Sequence, residues 1–174
     1  MVVSRRLRMC VVSLGLAGLI AACATDAAAP SETSSKPDWL LGLPLQGFLR
    51  CQPQPYASSS VTVGAAGGVI EVNHHRLTIP AGALSSTVVI TMEAPSDTIR
   101  SVRFSPEGLV FAAAHRPRLQ MDYRDCSLLS LLPKRIVYTD ERLNLLERLL
   151  SLDLLSLLKV EAFLDHFSRY AIHY

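Results

Sequence analysis

The chain is poor in the groups that enzymes and nucleic-acid binders most often use. It has one tryptophan, Trp39, among 174 residues, so an aromatic platform for carbohydrate is not supported. No stripe of Lys and Arg with interleaved aromatics occurs, which excludes nucleic acid as a partner. No C-x-x-C spacing exists among the four cysteines, so a cysteine zinc site is not expected. The five histidines are not spaced with Asp or Glu as a ligand motif, and neither metal nor cofactor is expected. His74-His75 reads as a polar hairpin tip. Gly64-Ala65-Ala66-Gly67-Gly68 lacks the Lys-Ser/Thr of a phosphate loop. No Gly-x-Ser-x-Gly occurs, and the carboxylates are too scattered to name a catalytic pair. An extracellular hydrolase is therefore only a third choice, and no site for an external substrate is expected.

A long apolar run is missing too. Cys10 to Ala22 is uncharged and apolar but only 13 residues long. A helix needs roughly 20 residues to cross a hydrocarbon core of about 30 Å. With Arg5, Arg6 and Arg8 before it, residues 1–22 read as an export signal. The signal ends in Ile20-Ala21-Ala22-Cys23, which resembles the lipobox of bacterial lipoproteins. That resemblance implies cleavage before Cys23 and acylation of its thiol and new amino group, with palmitate or a similar chain. Several acyl chains, at about 0.8 kcal/mol per buried CH₂, hold a protein firmly where one does not. The implied location is the bacterial cell envelope, with the membrane as partner through the lipid. Ala24, rather than Asp, after the cysteine points to the outer membrane.

Removal of the signal leaves fourteen basic against fifteen acidic residues, a net charge of −1. Residues 23–38 then carry the lipidated cysteine and a small, polar, Pro-punctuated tether that cannot bury enough apolar surface to order itself. Residues 39–58 form an apolar lead-in. Gly42, Pro44 and Gly47 argue against a regular helix there, and packing on the domain is the favoured role. Cys51 and Cys126 remain as the only two thiols of the exported domain, and a disulfide between them is expected.

Residues 59–174 are what is present in quantity: short β-branched runs broken by Gly and Pro. Val69 to Val72 and Arg76 to Ile79 flank Asn73-His74-His75 as a hairpin. Leu119, Met121 and Tyr123 alternate with Arg118, Gln120 and Asp122. Tyr170, Ile172 and Tyr174 likewise alternate, which predicts a terminal strand with one buried face. Short strands at this spacing predict an all-β sandwich of antiparallel strands. Residues 128–158 hold 14 leucines and read two ways. Helical period would make Arg142 to Leu158 an amphipathic helix. Ile136-Val137-Tyr138 is strand-like, and propensity is a weak prior.

The motifs between Val61 and Tyr123 resemble the ZU-five domain, a β-sandwich shared by zonula occludens proteins, netrin receptors and ankyrins. Gly67-Gly68 is similar to that family's glycine pair. Leu77-Thr78-Ile79-Pro80-Ala81-Gly82-Ala83-Leu84 is similar to its L-x-I-P-x-G-A core, and Pro106-x-Gly108-Leu109-x-Phe111 to its P-x-G-L-x-F motif. The Leu-rich stretch has no counterpart and stands as an insert. The resemblance implies that Leu143 to Leu149 is strand, and that the domain binds or scaffolds an envelope or extracellular protein partner. His166-Phe167-Ser168 is also the sequence at which some eukaryotic ZU-five proteins cut themselves. By that resemblance, Ser168 would attack the Phe167 carbonyl with His166 as base. Self-processing is thus the second reading.

Overall fold

The computed structural model describes residues 47–126 and 132–174, together with the backbone of two short strands before them. The expected signal, the expected lipidation site Cys23 and the expected tether lie outside the described residues. In chain order the strands are β1 (Trp39–Leu40), β2 (Leu43–Pro44), β3 (Ala57–Val63), β4 (Gly68–Val72), β5 (His75–Ile79), β6 (Val88–Ala94) and β7 (Ser101–Ser105). They continue as β8 (Arg118–Asp122), β9 (Arg135–Thr139), β10 (Leu145–Arg148), β11 (Ser151–Leu154), β12 (Lys159–Phe163) and β13 (Arg169–His173). The only helical pieces among the described residues are single 3₁₀ turns, Ala113–His115 and Leu155–Leu157.

Two antiparallel sheets make an all-β sandwich. One has the order β10-β9-β13-β7-β6-β3, the other β11-β12-β8-β5-β4; β1 and β2 pair by themselves. Period-two alternation explains the layers, because successive side chains in a strand point to opposite faces. Leu77, Ile79, Leu119, Met121 and Val160 face inward from one sheet and meet Ile90, Met92, Val102, Phe104 and Ile172 from the other. Each such side chain, fully buried, contributes about 1.5–3 kcal/mol.

Four expectations change on contact with the fold. The loop of the β4–β5 hairpin is only Asn73-His74, both at positive φ (46° and 69°), the backbone a two-residue hairpin turn needs. His75 is therefore not at the tip; it opens β5 and is 1% exposed. Asp122, expected on the polar face of β8, is buried at 4%. Strand β13 has two buried faces rather than one, because it lies inside the six-stranded sheet between β9 and β7. Its polar residues are accommodated: the Arg169 guanidinium donates to Glu141 O at 2.9 Å and Ser101 Oγ at 3.3 Å.

The fourth change removes the helical reading of Arg142 to Leu158. Asp140 turns the chain by accepting the N–H groups of Arg142 and Asn144, at 2.9 and 2.8 Å. β10 then pairs with β9, and β11 with β12. Leucine favours helix only weakly, and the two ladders outweigh that preference. The expectation that Ile136 to Leu149 is mainly strand holds, with the Asp140 turn between β9 and β10.

The lead-in joins the sandwich directly. Phe48 and Arg50 bridge to His173 and Ile99, Leu49 is fully buried, and Cys51 is disulfide-bonded to Cys126 across 75 residues.

Candidate functional site

The motif residues fall into two corners of the scaffold. In the first, Gly67 has φ +73°, and a Cβ there would sit 2.3 Å from Ile79 O and 2.7 Å from the Pro80 carbonyl carbon. Only glycine permits that approach. Gly68 follows as the first residue of β4, and Gly82 N–H donates to Ala65 O at 2.8 Å. The glycine pair and Ile79-Pro80-Ala81-Gly82 thus form one packed corner.

The second corner joins Pro106–Phe111 to the link between β12 and β13. Gly108 N–H donates to Phe167 O at 2.8 Å, Phe167 N–H to Leu109 O at 2.9 Å, and Phe111 N–H to Asp165 O at 2.8 Å. The Phe167 ring stacks on Phe104 and meets Phe111 edge-on, both at 4.9 Å. Phe167 and Ser168 are buried, at 0% and 4%. The His166 ring sits edge-on to Tyr138 at 4.8 Å, and Tyr170 Oη donates to His166 O at 2.5 Å. Burial, then the neighbouring Tyr138, Asp165 and Glu147, pushes the Tyr170 hydroxyl above its ordinary pKa.

Chemically, this places a backbone donor on the Phe167 carbonyl oxygen, where negative charge would develop on attack. His166 Nδ1 lies 3.5 Å from that same oxygen. Among the described residues no hydrogen bond joins the His166 ring to Ser168 Oγ, and neither Phe167 nor Ser168 has a positive φ.

A third locus was not singled out by sequence reasoning. Leu150 and Phe163 flank the first β11–β12 pair, Ser151↔Ala162, and line the same two hollows. Leu150 is 96% exposed, Leu152 56% and Phe163 53%. A cavity of about 330 Å³ is lined by Arg118, Leu150, Leu152, Glu161, Ala162 and Phe163. Another of about 230 Å³ lies between Arg116, Glu147, Leu150, Phe163 and Asp165. The Arg116 guanidinium rests 5.7 Å from the Phe163 ring centroid. Beneath this apolar edge the alternate residues of β11 are anchored. Ser151 Oγ accepts from Ile136 N–H at 2.9 Å, and Asp153 accepts from Tyr123 Oη at 2.6 Å and Lys134 N–H at 2.9 Å. The available signal was alternation at period two in Leu150, Leu152 and Leu154, which the helical spacing of the same stretch obscured.

A buried polar group lies where β5 opens beside the end of β8. His75 Nδ1 accepts from Asp122 N–H at 3.0 Å. Burial, then the charge of Arg100, lowers the His75 pKa to about 3. Burial alone would raise the Asp122 carboxyl, but hydrogen bonds from Arg124 outweigh it and hold that group below its ordinary pKa. Among the described residues no group of three His, Cys, Asp or Glu could hold a metal ion. The chain matches no protein-family model and no curated protein.

Proposed function

We propose that this chain is a lipid-anchored protein of the bacterial cell envelope whose ZU-five-like sandwich docks a protein partner through the β11–β12 edge. The observation that carries the reading is Leu150 and Phe163, both exposed and together lining two hollows. A cluster of large exposed apolar side chains with polar neighbours is what an interaction site requires. The Cys51–Cys126 bridge supports export, since disulfides persist in oxidising compartments. Ile20-Ala21-Ala22-Cys23 supports the anchor.

The test has two arms. Cys23→Ser should move the protein out of the detergent phase; persistence there refutes the anchor. A photo-crosslinking residue at Leu150 should yield an adduct in native envelopes that the same residue at Ser58, on β3, does not. Equal labelling at both positions refutes the docking edge.

A second reading, self-cleavage, is favoured by the Gly108 N–H on the Phe167 carbonyl. Ser168 Oγ would form a C–O bond to that carbon as the Phe167–Ser168 C–N bond breaks, leaving an ester and a free Ser168 amine. Water would then hydrolyse the ester. The denatured wild-type chain should lose the mass of residues 168–174, and Ser168→Ala should keep it. A full-length wild-type mass after long incubation removes this reading.

A further inference from the structure

Strand β11 runs out into a turn that exposes more leucine. Leu155 and Leu157 are 49% and 58% exposed, and Leu158, at φ 53°, is 37% exposed. The turn is held in shape by the backbone. Leu158 N–H donates to Leu155 O at 3.2 Å, and Tyr123 N–H donates to Leu158 O at 2.9 Å. Solvent therefore meets several leucines in a fixed turn, not one stray apolar residue.

Its place in the fold bears on what covers it. Tyr123, which holds Leu158, also accepts from Cys126 N–H at 3.1 Å, and Cys126 is bonded to Cys51. Leu49 N–H donates to Ile172 O, and Tyr174 N–H to Gly47 O, at the finishing end of β13. β9 begins at that end too, since Arg135 pairs with His173 while Lys134 N–H reaches Asp153 of β11. The chain before Gly47 thus joins the sandwich at the end that carries the leucine turn. The neighbouring charges favour an anionic surface. Lys159 follows the turn directly, and its Nζ donates to the neutral Gln120 Oε1 at 3.3 Å. Arg135 and Arg124 are exposed at this end, Arg124 paired with Asp122, and Asp125 opposes them.

We propose that this end of the sandwich rests on an anionic lipid bilayer. Leu155, Leu157 and Leu158 enter the headgroup–acyl boundary, and Lys159 and Arg135 meet the headgroups. Insertion of this kind is driven by buried apolar area plus attraction to anionic lipid. The orientation rests on the proposed lipid anchor, because the lipid places the joining end nearest the membrane. Tether residues 24–38 alone would let the domain stand off by roughly 50 Å; the leucine turn brings it down.

The chain's single tryptophan makes a direct test possible. The full chain carrying Trp39→Phe and Leu157→Trp is reconstituted in phosphatidylcholine vesicles with a minority of phosphatidylglycerol. A second chain carries Trp39→Phe and Leu150→Trp. The reporter at 157 should be quenched by spin-labelled lipid and shielded from aqueous iodide several-fold more than the reporter at 150. That difference should shrink in vesicles of phosphatidylcholine alone. Equal iodide access at the two positions overturns the docking. Detergent-phase partition of the same chains judges the anchor separately: retention in detergent with no shielding at 157 sinks the docking alone.

Discussion

Lowering the pH should destabilise this fold through His75. In the folded protein its imidazole is neutral, fully buried and accepting a hydrogen bond from Asp122 N–H, with its pKa lowered to about 3 by burial and then by Arg100. In the unfolded chain it titrates near 6.5. A histidine with a depressed folded pKa binds protons better unfolded. Its contribution is fully present above pH 6.5 and is lost as pH falls toward 3. The loss is about 1.4 kcal/mol per pH unit in that window. At pH 5 the folded imidazole is still neutral, so the expected loss is about 2 kcal/mol relative to pH 7.5. Urea unfolding at a series of pH values measures it. His75→Gln keeps a side-chain acceptor for Asp122 N–H but cannot titrate, so its stability should fall by about 2 kcal/mol less over the same range. The difference between the two curves isolates this residue from carboxylates and from His173, whose pKa burial also lowers. Parallel curves between pH 7.5 and 5 would refute the reasoning. So would an imidazole proton resonance assigned to His75 that titrates near pH 6.

Three further outcomes are expected. Reducing the Cys51–Cys126 bridge frees a loop of 75 residues and should cost about 4.5 kcal/mol by the loop-entropy relation; a shift of the urea midpoint equivalent to less than about 1 kcal/mol would contradict a native-state bridge. Gly67→Ala meets both a positive φ and the Ile79 carbonyl at 2.3 Å, so it should lose about 3 kcal/mol, whereas Gly108→Ala, at φ +75° with open space around it, should lose about 1 kcal/mol. Equal losses at the two glycines would show that the close approach does not matter. Asp153→Ala removes the carboxylate to which Lys134 N–H and Tyr123 Oη donate beneath the exposed edge and should cost about 2–3 kcal/mol; thermal melts within a degree of wild type would count against that anchoring role.

The candidate site was legible in proportion to how local its causes are. Gly67, Gly82 and Gly108 stand out in sequence because a turn with positive φ selects glycine within a few residues. That the first of these packs on Ile79-Pro80, and the last on Phe167 O, depends on partners far along the chain. The apolar edge was hidden because Leu145 to Leu158 satisfies a helical period and a strand period at once.

The sequence alone determined that the domain is all-β, because β-branched alternation and Gly/Pro turns are written within each strand and act through local sterics. It also pointed to the disulfide partners, since Cys51 and Cys126 are the two cysteines outside the expected signal and its terminal Cys23. The tertiary structure decided the rest. The β9 and β12 ladders turned Leu145–Arg148 and Ser151–Leu154 into strands and pointed Leu150 and Leu152 to solvent while Ser151 and Asp153 turned inward. Neighbours on both sides buried β13, and the hairpin's two-residue turn drew His75 inside. Backbone hydrogen bonds and burial are supplied by residues distant in the chain, and no window of sequence carries that information.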